Sequence, residues 1–205
     1  MDDKTKKFRD GIFSLHNRRF GKVAELMIKM YYGFDKSYSQ HHDLYDKKSS
    51  RKIEVKASTV RKAHDIVITA DNVINVCLNS GFDDRMIKLQ DAHGTPFNSP
   101  MLQVKPELFD ALYYCLFFAD YILIFKAEKG NFGICPCCGE QTKKNVNTCC
   151  GTNIPPRMEG YSDKQHKGGD MGQFHINEKN LANHIKDYKI DKLTYKDLYN
   201  KFKSK

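Results

Sequence analysis

Residues 53–57, Ile-Glu-Val-Lys-Ala, alternate apolar and charged. A half-buried β-strand satisfies that alternation; a helix does not. Ile53, Val55 and Ala57 point to a core, and Glu54 and Lys56 share the other face, roughly 6–7 Å apart along the strand. A polar turn, Lys47 to Arg51, stands before this strand, and His42-Asp43-Leu44-Tyr45-Asp46 stands before the turn. A hairpin centred between Lys48 and Ser49 pairs Leu44 with Ile53 on the apolar face. The same register sets Asp43 opposite Glu54, with Cβ atoms roughly 4.5–5.5 Å apart. Asp46, the rival carboxylate, falls on the other face. Two carboxylates at that spacing, with an ammonium beside them, can share one Mg²⁺ and orient a water molecule.

Upstream, Phe20, Val23, Ala24, Met27, Ile28 and Tyr31 recur at helical spacing. They predict an amphipathic helix over residues 16–32 that ends at Gly33. Glu25 lies one turn after Gly21 and on the same side. The missing side chain at Gly21 leaves room for a sheet or a nucleic-acid backbone. On its own, Glu25 reads as a solvated partner of Lys22 or Lys29.

The rest of the chain reads as an α/β sandwich with a mixed central sheet. Asp65 to Thr69 reads as a further strand, and residues 72–79 fit helix or strand. Residues 91–100, with Gly94, Pro96, Asn98 and Pro100, read as a loop. Pro106 opens a helix carried by Leu108, Phe109, Leu112, Cys115 and Leu116, followed by a short apolar strand over Tyr121 to Phe125. Two short helices, 177–189 and 194–203, close the chain, the second capped by Thr194 and Asp197. Leu108 to Phe125 is apolar for 18 residues but holds Asp110 and Asp120, which speaks against a membrane span. Met1 to Arg9 is charged, so no signal peptide is expected, and the expected location is the cytoplasm.

The chain has 205 residues, 40% hydrophobic and 12% aromatic. That is enough for one core with a small appendage and excludes disorder. The formal net charge is +9, which suits a polyanionic partner, most simply nucleic acid. Lysines crowd the C-terminus, and Lys164-Gln165-His166-Lys167-Gly168-Gly169 reads as a basic loop that could touch a phosphate backbone or simply be solvated.

Seven cysteines are unevenly spread. Cys77 and Cys115 stand alone in apolar surroundings and are expected as buried thiols. The other five fall in Cys135-Pro136-Cys137-Cys138-Gly139 and Cys149-Cys150-Gly151. An odd, clustered set points to metal rather than disulfides, and Cys135-x-x-Cys138 has the reach for one Zn²⁺. Cys135, Cys138 and Cys150 are the preferred ligands. Cys149 or Cys137 is the fourth, with His166 and His175 more remote choices. The expected division is a core over 1–130, a cysteine-rich zinc-binding segment over 131–176 and basic helices over 177–205.

Asp43…Glu54-x-Lys56, with the helix pattern Arg18-x-x-Gly21-x-x-x-Glu25 before it, resembles the PD-(D/E)XK nuclease superfamily, type II restriction endonucleases among them. The local match spans residues 18–58, and a looser order of elements continues to about residue 126. His42 stands where the family usually has Pro. The resemblance implies a restriction-endonuclease-like α/β/α sandwich and hydrolysis of DNA phosphodiesters. It implies Mg²⁺ held by Asp43, Glu54 and the Val55 carbonyl, Lys56 at the attacking water, and Glu25 facing the metal. It also implies double-stranded DNA as partner, a homodimer, and ends carrying 5′-phosphate and 3′-hydroxyl. Neither a GxxxxGK[ST] loop nor a methyltransferase motif occurs in the sequence, which favours a restriction enzyme. A structure-selective repair nuclease of the same fold is the alternative within the class. A non-catalytic zinc-containing DNA-binding module is the alternative outside it.

Overall fold

A computed structural model describes residues 1–63, 67–79, 85–143, 145–162 and 172–204. Helix α1 (Asp3–Ser14) starts at Asp2, whose side chain accepts the Thr5 N–H at 2.9 Å, as an N-cap should. Helix α2 (Asn17–Tyr32) buries Phe20, Ala24, Met27 and Ile28, and stops at Gly33 with φ of 71°, the left-handed conformation glycine adopts without strain. Strands β1 (Asp35–Lys36), β2 (Leu44–Asp46) and β3 (Arg51–Thr59) follow. Beyond them come α3 (Val73–Asn79), β4 (Asn98–Val104), β5 (Ala111–Phe117) and β6 (Tyr121–Glu128). The chain then forms β7 (Thr148–Cys149), β8 (Thr152–Asn153), β9 (Gly172–Asn177), α4 (Leu181–Tyr188), β10 (Lys189–Thr194) and α5 (Tyr195–Lys203).

Six strands make the central sheet, in the order β1-β2-β3-β5-β6-β10. The β3–β5 pair is parallel and its neighbours are antiparallel. The parallel step requires a crossover, supplied by residues 60–110. One face of the sheet, carrying Ile53, Val55, Tyr113, Cys115, Phe117, Ile122 and Ile124, packs on α1, α2 and α5. The other face, carrying Leu112, Tyr114, Leu116, Leu123 and Phe125, packs on the β4–β9 ribbon and α4. The fold is therefore mixed α/β, with helices on one face and a ribbon plus a helix on the other.

The expected hairpin register is present: Leu44 pairs with Ile53 and Asp46 with Arg51. The turn between them is closed by Asp46, which accepts from the Lys48 N–H and the Ser49 hydroxyl.

Several expectations change. The helix expected from Pro106 through Leu116 is a single 3-10 turn, Pro106–Leu108, followed by strand β5. All seven residues of β5 are buried, because packing covers both faces. That removes the alternation by which a strand is read, and leaves an apolar run that mimics a buried helix. The 18-residue run is thus the end of the crossover, β5 and much of β6, and among the described residues no helix is long and apolar enough to cross a membrane.

The loop expected over 91–100 ends inside β4, where Pro100 faces His175 on the ribbon; proline is tolerated in such edge strands. Residues 72–79 resolve as α3, and Cys77 on it is exposed rather than buried, since α3 lies on the surface. Cys115 is buried as expected. Asp65 and Ile66 of the expected strand lie outside the described residues, and Val67 to Thr69 are not in a strand.

The two helices expected over 177–189 and 194–203 are present as α4 and α5, but a strand lies between them. Lys189 to Thr194 form β10, which pairs with β6, and α5 packs on α1 and the sheet. Tyr195, at the start of α5, donates its hydroxyl to the Phe118 carbonyl at 2.6 Å. The Thr194–Asp197 capping box is present. β9, from the segment expected to be a separate cysteine-rich unit, pairs with β4 of the core.

Candidate active site and cysteine cluster

β2 begins only at Leu44, opposite Ile53, whereas β3 runs on to Thr59. From Val55 onward, β3 has β5 on one side and, among the described residues, no strand on the other. The last strand-like bond across the gap is Asp43 N–H to the Ile53 carbonyl, 3.1 Å. The next donor along β3, the Val55 N–H, is taken by the Asp43 side chain at 2.9 Å. A carboxylate thus replaces the missing strand partner. On an extended strand one residue's N–H and C=O leave on the same side, so the Val55 carbonyl shares this open edge with Asp43.

A cleft of about 670 Å³ opens at that edge. Arg18, Gly21, Lys22 and Glu25 of α2 form one wall, and Met101, Leu102 and Gln103 of β4 form the opposite wall. Asp43, Val55, Lys56, Ser58 and Thr59 form the floor. At Gly21 a Cβ would meet no atom within 4 Å, so the glycine faces open cleft rather than the sheet. The β4 wall is irregular. The pairing with β9 slips between Met101 and Val104, and Gln103 has φ of 57°, a bulge-like departure that lifts the strand out of its ladder. No local sequence signal marks Met101 to Gln103 as cleft residues. They arrive only through the β4–β9 pairing.

Lys56 Nζ lies 2.7 Å from Glu54 Oε1, with side chains 21% and 14% exposed. Glu54 itself is not on the cleft lining. Burial raises the Glu54 carboxyl above its ordinary value; Lys56 opposes the shift, and the Asp43 charge adds to it. Burial likewise raises Asp43. The Val55 N–H and the Lys56 charge pull it back, while the Glu25 charge pushes it up. Glu25 forms an ion pair with Lys22, and both line the cleft. Asp43, Glu54, Lys56 and Glu25 are thus brought to one corner of the fold. Asp46 is held in the hairpin turn, as its register foretells.

The cysteines form a second constellation. The sulfurs of Cys135, Cys138, Cys149 and Cys150 all lie within 4.8 Å of one another, the one such group of three or more His, Cys, Asp or Glu ligand atoms among the described residues. Cys149 Sγ is 3.7 Å from Cys138 Sγ and 3.8 Å from Cys150 Sγ. These four can hold a metal ion. Cys137 is exposed and outside the group. His175 bonds Asn98 on the ribbon, and His166 lies outside the described residues, together with the rest of the Lys164 to Gly169 loop.

Two adjacent cysteines rarely serve one ion. Here the backbone allows it: Cys150 and Gly151 have φ of 53° and 72° at the tip of the β7–β8 hairpin, the two left-handed positions of a tight two-residue turn. The first pair sits on a knuckle closed by Gly139 N–H to the Cys135 carbonyl, 2.9 Å. Backbone N–H groups of Cys138 and, less strongly, Cys137 bring the Cys135 thiol down to about 7, whereas hydrogen bonds with Cys135, Cys138 and Cys150 push Cys149 up to about 12. Four crowded thiols cannot all ionise unless a cation joins them.

Comparison with protein-family models, with curated proteins and with solved structures yields no match.

Proposed function

We propose that this chain is a metal-dependent endonuclease acting on double-stranded DNA, of the PD-(D/E)XK kind and, within it, a type II restriction enzyme with a restriction-endonuclease-like core. The observation that supports this most is the Asp43 carboxylate on the open edge of β3, in one cleft with Lys56 and Glu25. Burial raises both Asp43 and Glu54, and their charges oppose each other. A divalent cation relieves both penalties. Mg²⁺ is commonly held by only one or two carboxylates, with substrate phosphate completing its shell, so this donor set fits. Asp43, Glu54 and the Val55 carbonyl would hold it, and it would supply charge neutralisation at the phosphate and a more acidic bound water.

The protein's own groups do the rest. Lys56, oriented by Glu54, points an ammonium at the water and the attacked phosphate. Glu25, beside Lys22, holds an ordered water or a second ion. Water oxygen bonds to phosphorus, the P–O3′ bond breaks with its electron pair going to O3′, the attacking water's proton passes to solvent, and O3′ takes a proton from solvent. A 5′-phosphate and a 3′-hydroxyl remain. For the cysteine cluster we propose Zn²⁺, whose preference for tetrahedral thiolate sites matches four sulfurs; a closed site of this kind serves structure rather than catalysis. Recognition of a palindromic site would call for a homodimer.

The test is incubation of the purified protein with phage and plasmid DNA and Mg²⁺, with mapping of the ends. Discrete fragments with 5′-phosphates support the restriction reading. Cleavage confined to branched or damaged DNA redirects it to repair. Binding without Mg²⁺-dependent cleavage by a zinc-loaded, folded protein overturns the enzyme reading.

A further inference from the structure

A second cavity, about 540 Å³, opens beside the cleft on the α1–α2 connection. The two share Asn17, Ser58, Thr59 and Pro100 in their linings, so they form one groove along the extension of β3. The second cavity is lined by His16, Arg61, Lys62 and Arg85, and by no carboxylate among its described lining residues. This is unlike the first, which holds Asp43 and Glu25.

Burial, and after it the nearby charge of Arg85, brings the Arg61 guanidinium below its ordinary value. The fold places the two side by side: Arg61 bridges Met86 backbone to backbone, and Lys62 N–H bonds the Arg85 carbonyl at 2.8 Å. The Arg85 Nε is buried without a hydrogen-bond partner, a costly state for a charged fork. Its NH2 donates to the Lys62 carbonyl over a long 3.5 Å. Two like charges held together, one with a buried unmet donor, are relieved by an anion. Arginine's planar fork suits a phosphate best.

We propose that the Arg61–Lys62–Arg85 cavity is a binding site for the sugar-phosphate backbone of a nucleic-acid strand that enters the catalytic cleft along the β3 edge. The inference rests on the nuclease reading for the strand's destination, but not for its chemistry. Lys56 and Arg61 are separated by five residues of extended chain, roughly 16 Å, or the axial rise of about five nucleotides of duplex. The site therefore grips phosphates several nucleotides from the attacked one. Such contacts position without reading sequence.

The experiment is salt-dependent binding of a fluorescent random-sequence duplex, without divalent metal, by the full-length protein and its Arg85→Ala, Lys62→Glu and Arg61→Ala variants. Each lost phosphate contact lowers the slope of log K against log salt by about 0.9. Arg85→Ala and Lys62→Glu should each lower it by about one, equally for duplexes of different sequence. Arg61 donates to the Phe13 carbonyl at 2.6 Å and so has a structural duty as well; Lys62 is exposed, and its variant keeps the inference testable if Arg61→Ala does not fold. Unchanged slopes in folded Arg85→Ala and Lys62→Glu would overturn the strand path. Competition by inorganic phosphate at constant ionic strength, with duplex slopes unchanged by the variants, would make it a free-anion site and overturn the strand path. Reduced slopes in a protein that never cleaves DNA would retire the nuclease reading and leave this site standing.

Discussion

The Asp43 side chain accepts the Val55 N–H at 2.9 Å, on the open edge where β3 outruns β2. One carboxylate thereby finishes a sheet edge and faces a cleft. Its burial cost follows from that double duty.

The first prediction concerns that cost. With its carboxyl raised above 3.8, the folded protein holds more protons than the unfolded chain between the two values. Stability therefore falls as pH rises through that window, and the penalty persists at neutral pH. Asp43→Asn removes the charge and keeps an acceptor for Val55. It should raise the melting temperature of the metal-free protein at pH 7, and the gain should vanish in strong acid. A lower melting temperature at pH 7 would overturn this electrostatic account.

For catalysis, Lys56→Ala and Glu54→Ala should each lower Mg²⁺-dependent cleavage by about 10²–10³-fold or more, the range for losing one charge-stabilising group. Duplex affinity should change by only a few-fold. Gel-shift and cleavage assays on the same preparations decide it. Full cleavage by either variant removes these residues from the chemistry.

The cysteine cluster should carry one tightly bound Zn²⁺ per chain. Cys138→Ser should lower both metal content and melting temperature. Cys137→Ser, outside the four, should change neither. Chelation should lower the melting temperature more than it alters the Mg²⁺ dependence of cleavage. Freshly purified protein without zinc would contradict the assignment.

His184 gives an acid-side prediction. It is buried against Tyr114, whose hydroxyl lies 2.9 Å from Nδ1, and burial pushes its imidazole down to about 4. Between the unfolded value of 6.5 and that lower value, the unfolded chain binds the extra proton. Stability is thus full above the unfolded value and is lost as pH falls, by up to about 3 kcal/mol. Melting curves from pH 7 to pH 4 should show the loss, and His184→Gln should flatten it. Equal slopes in both proteins would assign the acid sensitivity elsewhere.

The C-terminus is expected to be indispensable. Deleting residues from Lys189 onward uncovers the β6 edge and removes Leu193, Tyr195 and Leu198 from the core. The truncated chain should be insoluble or unfolded by circular dichroism. Tyr195→Phe, which strands the Phe118 carbonyl, should cost only about 1–3 kcal/mol, measurable by denaturant unfolding. A folded truncation would show that β10 and α5 are dispensable.

Local patterns carried some of this protein without help. The hairpin register from Leu44–Ile53 outward, the span of α2 to Gly33 and the Thr194 cap depend on neighbours a few residues apart, where periodicity and turn chemistry act directly. So does the gathering of Asp43 and Lys56 near one strand edge, since a short antiparallel pair has few registers that bury its apolar face. What tertiary structure alone decided lies at longer range. β5 is buried on both faces and so carries no strand alternation. β10 exists because β6 offers it an edge, and the β4 wall of the cleft exists because β9 returns from about 70 residues away to pair with it. The cysteines show both sides. Their spacing announced a metal site, but the selection of Cys149 with Cys150 over Cys137 required two left-handed residues at a hairpin tip. Side-chain order along the chain does not specify that backbone turn; the folded surroundings do.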